Sequence, residues 1–141
     1  MKSVVLVAVQ LLTIGYLLLT GPWLATPTWA GLELVGMAVA AWAVVTMKPH
    51  RISPLPDVRR NARLVTQGPY RFIRHPMYTG ILLALLALVL DHPTPARVIV
   101  WLIMLADLVV KLDYEERLLR KRFPEYASYQ CRTKRLLPFV Y

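Results

Sequence analysis

Cysteine is almost missing: Cys131 stands alone among 141 residues. One thiol excludes an intramolecular disulfide and any cysteine metal cluster. It sits among basic residues with no neighbouring base, so it is not read as a nucleophile. His50, His75 and His92 show no ligand spacing, and no metal site is expected. There is no Ser-His-Asp logic and no phosphate-cradling glycine loop. Acids are scarce, with 8 Asp and Glu against 17 Lys and Arg for a net charge of +9. Internal repeats and low-complexity segments are absent.

Apolar residues make up what remains. The chain is 57% hydrophobic with a mean hydropathy of +0.47. That is too apolar for an ordinary soluble domain and fits an integral membrane protein. The length suggests one domain, residues 1–141. Basic residues flank the apolar runs, which points to anionic lipid as the partner and away from nucleic acid.

The predicted fold is all-α, with about four membrane spans at residues 4–24, 30–47, 78–90 and 97–112. Lys2 precedes a run with no clean cleavage site, so the first span reads as a retained signal anchor. Trp23 and Trp29 bracket a short loop as interfacial aromatics do. Glu33, near that loop, is expected to reach water. The polar connection 48–77 is basic and proline-rich, and Asp57 can cap a short helix at 58–64. After residue 110 the helical pattern runs on without Gly or Pro to Phe123-Pro124, so one long helix should carry its last turns out of the membrane. Every basic residue except Arg97 lies at Lys2, in the central connection or in the C-terminal region. Cytoplasmic loops concentrate Lys and Arg. A multi-pass protein with both termini in the cytoplasm satisfies this pattern, and it brings the central loop and the C-terminal helix to one side.

Two clusters on that side carry chemistry. The first is the loop at 64–80, in which Gly68, Pro69, Pro76 and Gly80 punctuate Tyr70, Arg71, Arg74, His75 and Tyr78. Proline fixes φ, and Gly68 and Gly80 permit a turn or the close approach of a ligand. In the second, Asp107, Lys111 and Glu115 recur every fourth residue and share a helix face, with Glu116 beside it. An acid at the end of a span is a functional candidate, and an interfacial ion pair is the plainer alternative. A basic aromatic loop opposite paired carboxylates suits a zwitterionic cofactor bearing a purine, an amine and a carboxylate.

The stretch Leu-Val-Thr-Gln-Gly-Pro-Tyr-Arg-Phe-Ile-Arg-His-Pro-Met-Tyr-Thr-Gly at 64–80 resembles the signature loop of the isoprenylcysteine carboxyl methyltransferase and phospholipid methyltransferase superfamily. Glu115-Glu116, Leu118, Phe123, Glu125-Tyr126, Tyr129 and Leu137-Pro138-Phe139 resemble its C-terminal block. The likeness covers roughly residues 64–139, and the N-terminal spans match only as hydrophobicity. It implies S-adenosylmethionine as cofactor, a lipophilic membrane-embedded acceptor, and a cytoplasmic cofactor site between the His-Pro loop and the C-terminal helix. By position, Gln67, Tyr70, His75, Tyr78, Glu115 and Glu116 would hold the cofactor. Arg74 and Lys111 would face the acceptor, and Glu115 or His75 would take a proton from an amine or phenol. Some members carry Arg at the position of Lys111, and Lys keeps the charge without the bidentate fork. A nicotinamide-dependent reductase of the steroid 5α-reductase type and a non-enzymatic small membrane protein are the competing readings.

Overall fold

Proline opens three of the helices. Thr26-Pro27, His75-Pro76 and Thr94-Pro95 each put proline at the first helical position, where its missing N–H is not needed and its φ is already set. The computed structural model describes residues 2–47 and 64–138. Among these lie α1 (Lys2–Leu19), α2 (Pro27–Met47), α3 (Pro76–Asp91), α4 (Pro95–Arg122) and α5 (Tyr126–Arg132), with one 3-10 turn at Gly68–Arg71. The described residues contain no strand beyond one parallel bridge, Ile73 to Lys134. The short helix expected at 58–64 falls, but for Leu64, outside the described residues, as does His50.

The uninterrupted helix expected through residue 122 is present as α4, 28 residues long and closed by Phe123 N–H donating to the Leu119 carbonyl at 2.8 Å. Of the described helices, α2 is long and apolar enough to cross a membrane; α1 and α3 are apolar but shorter.

The helices pair α2 with α3 and α1 with α4. The α2–α3 pair meets at glycine. A Cβ on Gly80 would stand 2.6 Å from both the Ala40 nitrogen and the Gly36 carbonyl oxygen. Both helices carry Gly-x-x-x-Ala at the crossing, Gly36 with Ala40 and Gly80 with Ala84, the small-residue spacing that lets helix backbones touch. Gly80, which suggested a turn or a ligand, lies inside α3, and what approaches it closely is the α2 backbone. Leu17, Leu82, Leu85 and Leu88 join Met104, Leu108 and Leu112 of α4 in the core. The outward faces are apolar too: Leu12 and Leu19 of α1, Leu34 and Val45 of α2, and Ile99 and Val110 of α4 are all exposed. Aliphatic surface on three helices is far more than water-facing domains tolerate.

At the end remote from the loop, Arg97 is 1% exposed. Its Nη1 donates to the Leu17 carbonyl at 2.8 Å and to Thr20 Oγ1 at 3.0 Å, and its Nη2 to the Leu88 carbonyl at 2.9 Å. These carbonyls belong to the last turns of α1 and α3, where helices present unsatisfied acceptors and partial negative charge. The one basic residue outside the basic regions is therefore a buried clasp rather than a loop charge. Glu33 differs from expectation in the same way. It is buried and accepts the Ala25 N–H at 2.8 Å, closing the α1–α2 turn instead of meeting water.

Candidate functional site

The loop before α3 is built by local geometry and then fastened from outside. Gly68 sits at φ 57°, a conformation that favours glycine, and begins the 3-10 turn. Its open face lies against Trp42 and Thr46 of α2. The chain is non-helical through Ile73–His75, which leaves backbone groups to satisfy. The tail supplies the partners: Arg74 N–H donates to the Lys134 carbonyl at 2.7 Å, His75 N–H to the Arg135 carbonyl at 3.0 Å, and Lys134 N–H to the Phe72 carbonyl at 3.3 Å. Thr79 Oγ1 donates to the Leu136 carbonyl, and Tyr129 Oη to the Tyr70 carbonyl, both at 2.6 Å.

Helix α4 delivers the acids. Met104, Leu108 and Leu112 form a buried row spaced by four, and Glu116 is the next member. That register carries a carboxylate inward, where Glu116 becomes the hub of the site. It accepts from Arg74 Nε at 2.7 Å and Gln130 Nε2 at 2.9 Å, lies 3.3 Å from His75 Nε2 and 3.4 Å from Arg135 Nη2, and has Arg120 Nη2 at 3.9 Å. Burial alone would raise its pKa. The hydrogen bonds from His75 and Arg74, with the Arg74 charge, outweigh burial and hold the carboxyl down at about 2. Beside it, burial pushes the Tyr129 phenol up to about 12, against the opposing influence of the Arg74 charge and of Thr133, with a smaller upward push from the Glu116 charge.

The second carboxylate behaves differently. The Glu115 side chain is 19% exposed against 2% for Glu116. It accepts the Tyr78 hydroxyl, and its Oε2 lies 3.6 Å from His75 Nδ1. His75 is thus held between the two acids. Its ring stacks on that of Tyr78, with centroids 5.6 Å apart and planes 4° from parallel. Lys111 Nζ stands 5.3 Å from the Tyr78 ring centroid and donates to Gln10 Oε1 of α1 at 2.7 Å.

Among the residues singled out from sequence, the structure brings Arg74, His75, Tyr78, Lys111, Glu115 and Glu116 into one connected cluster. Arg74 faces α5 and the tail, donating to the Gln130 carbonyl at 3.2 Å and to the Thr133 carbonyl as well as to Glu116. Tyr70 is buried and reaches Met47 Sδ at 3.9 Å. Gln67 is exposed, and its carbonyl accepts the Tyr70 N–H at 3.2 Å. The sequence reading did not assign Gln130, Thr133 and Arg135 to the site. No spacing links them to the loop, because their register depends on where α5 and the tail fold back. Gln10 did carry a signal, as a lone amide in an apolar run. Among the described residues no group of three or more His, Cys, Asp or Glu is arranged to hold a metal ion.

Comparison with known proteins adds two findings. The family model described as phospholipid methyltransferase matches residues 30–126, which include most of α2, all of α3 and α4, and the central site residues except Gln10, Gln130 and the tail. The cobalt-zinc-cadmium resistance protein CzcN of Cupriavidus metallidurans is 36% identical over 83 residues, which is 57% of this chain and 38% of that protein. The match thus spans well under half of the relative's length. No solved structure matches the chain.

Proposed function

Because this chain belongs to the phospholipid methyltransferase family, we propose that it transfers a methyl group from S-adenosylmethionine to a lipophilic acceptor held in a membrane. The observation that carries the proposal is His75 clamped between Glu115 and Glu116 with Tyr78 stacked on it, at the end of a bundle with an apolar outer surface. The donor set fits the cofactor. Glu115 keeps acceptor capacity for an ammonium or ribose hydroxyls, whereas Glu116 is committed to internal donors and orients the others. The Tyr78 ring already takes one cation, Lys111, by the electrostatics that a sulfonium would use.

When bound, the cofactor supplies an electrophilic methyl group. The protein's task is proximity and in-line alignment, which are worth more to a displacement than acid–base assistance. Lys111 marks the acceptor side, and Glu115 receives the proton where the acceptor is an amine or a hydroxyl. In the same proposal α1 to α4 cross the bilayer with both termini in the cytoplasm, as the basic residues demand. Reporter fusions after Trp29 are expected outside and after Arg60 inside; an outside report from Arg60 removes the shared cytoplasmic site.

Calorimetric titration of the purified protein tests the cofactor. Saturation by S-adenosylmethionine is expected, and Glu115→Gln should weaken it roughly tenfold or more, the cost of about 1.5–3 kcal/mol for one charged hydrogen bond. Saturation by NADPH instead would make the chain a reductase, and binding of neither would favour a non-enzymatic role.

A further inference from the structure

A line of polar contacts leaves the site toward α1, which lies outside the residues matched by the family model. Within α1 the two polar side chains at Gln10 and Thr13 do different things. Thr13 Oγ1 turns back to its own helix, 2.9 Å from the Val9 carbonyl. Gln10 reaches across the bundle and accepts from Lys111 Nζ at 2.7 Å. Lys111 is 3% exposed, and a buried cation is costly unless it is partnered. Its possible partners can be counted. Glu115, one turn later, accepts the Tyr78 hydroxyl at Oε1, turns Oε2 toward His75 Nδ1 at 3.6 Å, and acts on Lys111 through its charge rather than through a contact. Asp107, one turn earlier, is buried, and its Oδ2 has no hydrogen-bond partner. The ammonium therefore has two competing acceptors, a neutral amide on α1 and a carboxylate on its own helix. The amide holds it over Tyr78 without a direct ion pair; the carboxylate would draw it back along α4 and pair it.

We propose that Gln10 is a positioning residue. It keeps the Lys111 ammonium on the face of Tyr78 and away from Asp107, and so sets the acceptor end of the site. The proposal rests on the acceptor-side reading of Lys111 given above. It assigns the N-terminal helix a role in this chain's acceptor chemistry as well as in its packing.

The test uses the full chain in nanodiscs with 13C-lysine. Five lysines give signals, and the Lys111→Arg variant identifies the one that disappears. A methylene next to an aromatic face is shielded, so the Lys111 ε-CH2 protons are expected upfield of the other four. Gln10→Leu and Gln10→Met should both abolish that displacement, Gln10→Glu should retain it, and adding Asp107→Asn to Gln10→Leu should restore it in part. These outcomes are not expected from a residue that merely packs. Persistence of the upfield signal in both Gln10→Leu and Gln10→Met would overturn the proposal. S-adenosylmethionine affinity should stay at the wild-type value in both variants, and a loss as large as that of Glu115→Gln would overturn it by making Gln10 part of the cofactor site. The lysine signal reports on Gln10 whether or not the protein binds S-adenosylmethionine, so it fails independently of the methyltransferase reading.

Discussion

Gly80→Val is expected to force α2 and α3 apart and to yield a protein that unfolds at a much lower temperature. The first added carbon would stand 2.6 Å from the Ala40 nitrogen and from the Gly36 carbonyl oxygen, both backbone atoms that no rotamer change can move. Overpacking a tight contact costs about 1–3 kcal/mol, and a branched side chain against two backbones belongs at or above the top of that range. The damage reaches the site, because α3 begins at Pro76 and carries Tyr78 two residues before Gly80. Gly15→Ala and Gly31→Ala are the controls. Nothing lies within 4 Å of a Cβ at either position, and each should be neutral or gain about 0.5–1 kcal/mol of helix stability. Thermal unfolding of the four proteins in one detergent decides the matter. A Gly80→Val melting temperature equal to wild type would mean that α2 and α3 do not meet there.

The same glycines show where sequence reading succeeds and where it stops. Helices α1 to α4 could be read from apolar runs and proline punctuation, since those signals are local. The long α4 followed from the lack of any breaker before Phe123-Pro124. The pairing of α2 with α3 could not be read: Gly36 and Gly80 are 44 positions apart, and each Gly-x-x-x-Ala is ambiguous until its partner helix is known. Glu33 misled, and the role of Arg97 went unread, for a related reason. A charge beside a loop reads as solvated, and only the neighbouring helix ends show that both are buried in caps.

The second large effect is expected at Glu116. Replacing it with Gln leaves the Arg74 guanidinium without its counter-charge at a buried position, while Arg135 keeps Asp113 at 2.9 Å. Removing one partner from a buried ion pair costs about 3–5 kcal/mol. The variant should also change the response to acid. The carboxyl is held at about 2 in the folded protein against its usual 4.5, so the native state resists protonation and the unfolded chain does not. The stability this contributes is complete above about pH 4.5 and is lost as pH falls from there toward 2. A shift of that size is worth about 3 kcal/mol. Wild-type melting temperature should fall steeply across that window, and Glu116→Gln should start lower and fall less. Parallel curves would show that Glu116 is not the group being titrated.

The site was half legible. Arg74-His75-Pro76 and Glu115-Glu116 could be found because each is a short contiguous signal, and the spacing of Asp107, Lys111 and Glu115 placed them on one helix face. The split between the two adjacent acids was not legible. Glu116 continues the row of Met104, Leu108 and Leu112 into the interior and is surrounded by donors, while Glu115, one position earlier on the helix, stays partly open. Which acid is enclosed depends on Gln130 and Arg135, and their places are set by how the tail folds back.

The fastening of residues 72–75 by residues 133–136 has a consequence for the order of assembly. Arg74 and its acceptor Thr133 are 59 positions apart. Synthesis adds about 5–20 residues per second. The loop therefore emerges seconds before the segment that fixes it, with Glu116 arriving in between. During that interval the helices can already pack while the Arg74 and His75 N–H groups lack their acceptors on the tail. The later-made segment thus acts as a keystone, and a ribosome that stalls before it leaves a sound scaffold around an unfinished site.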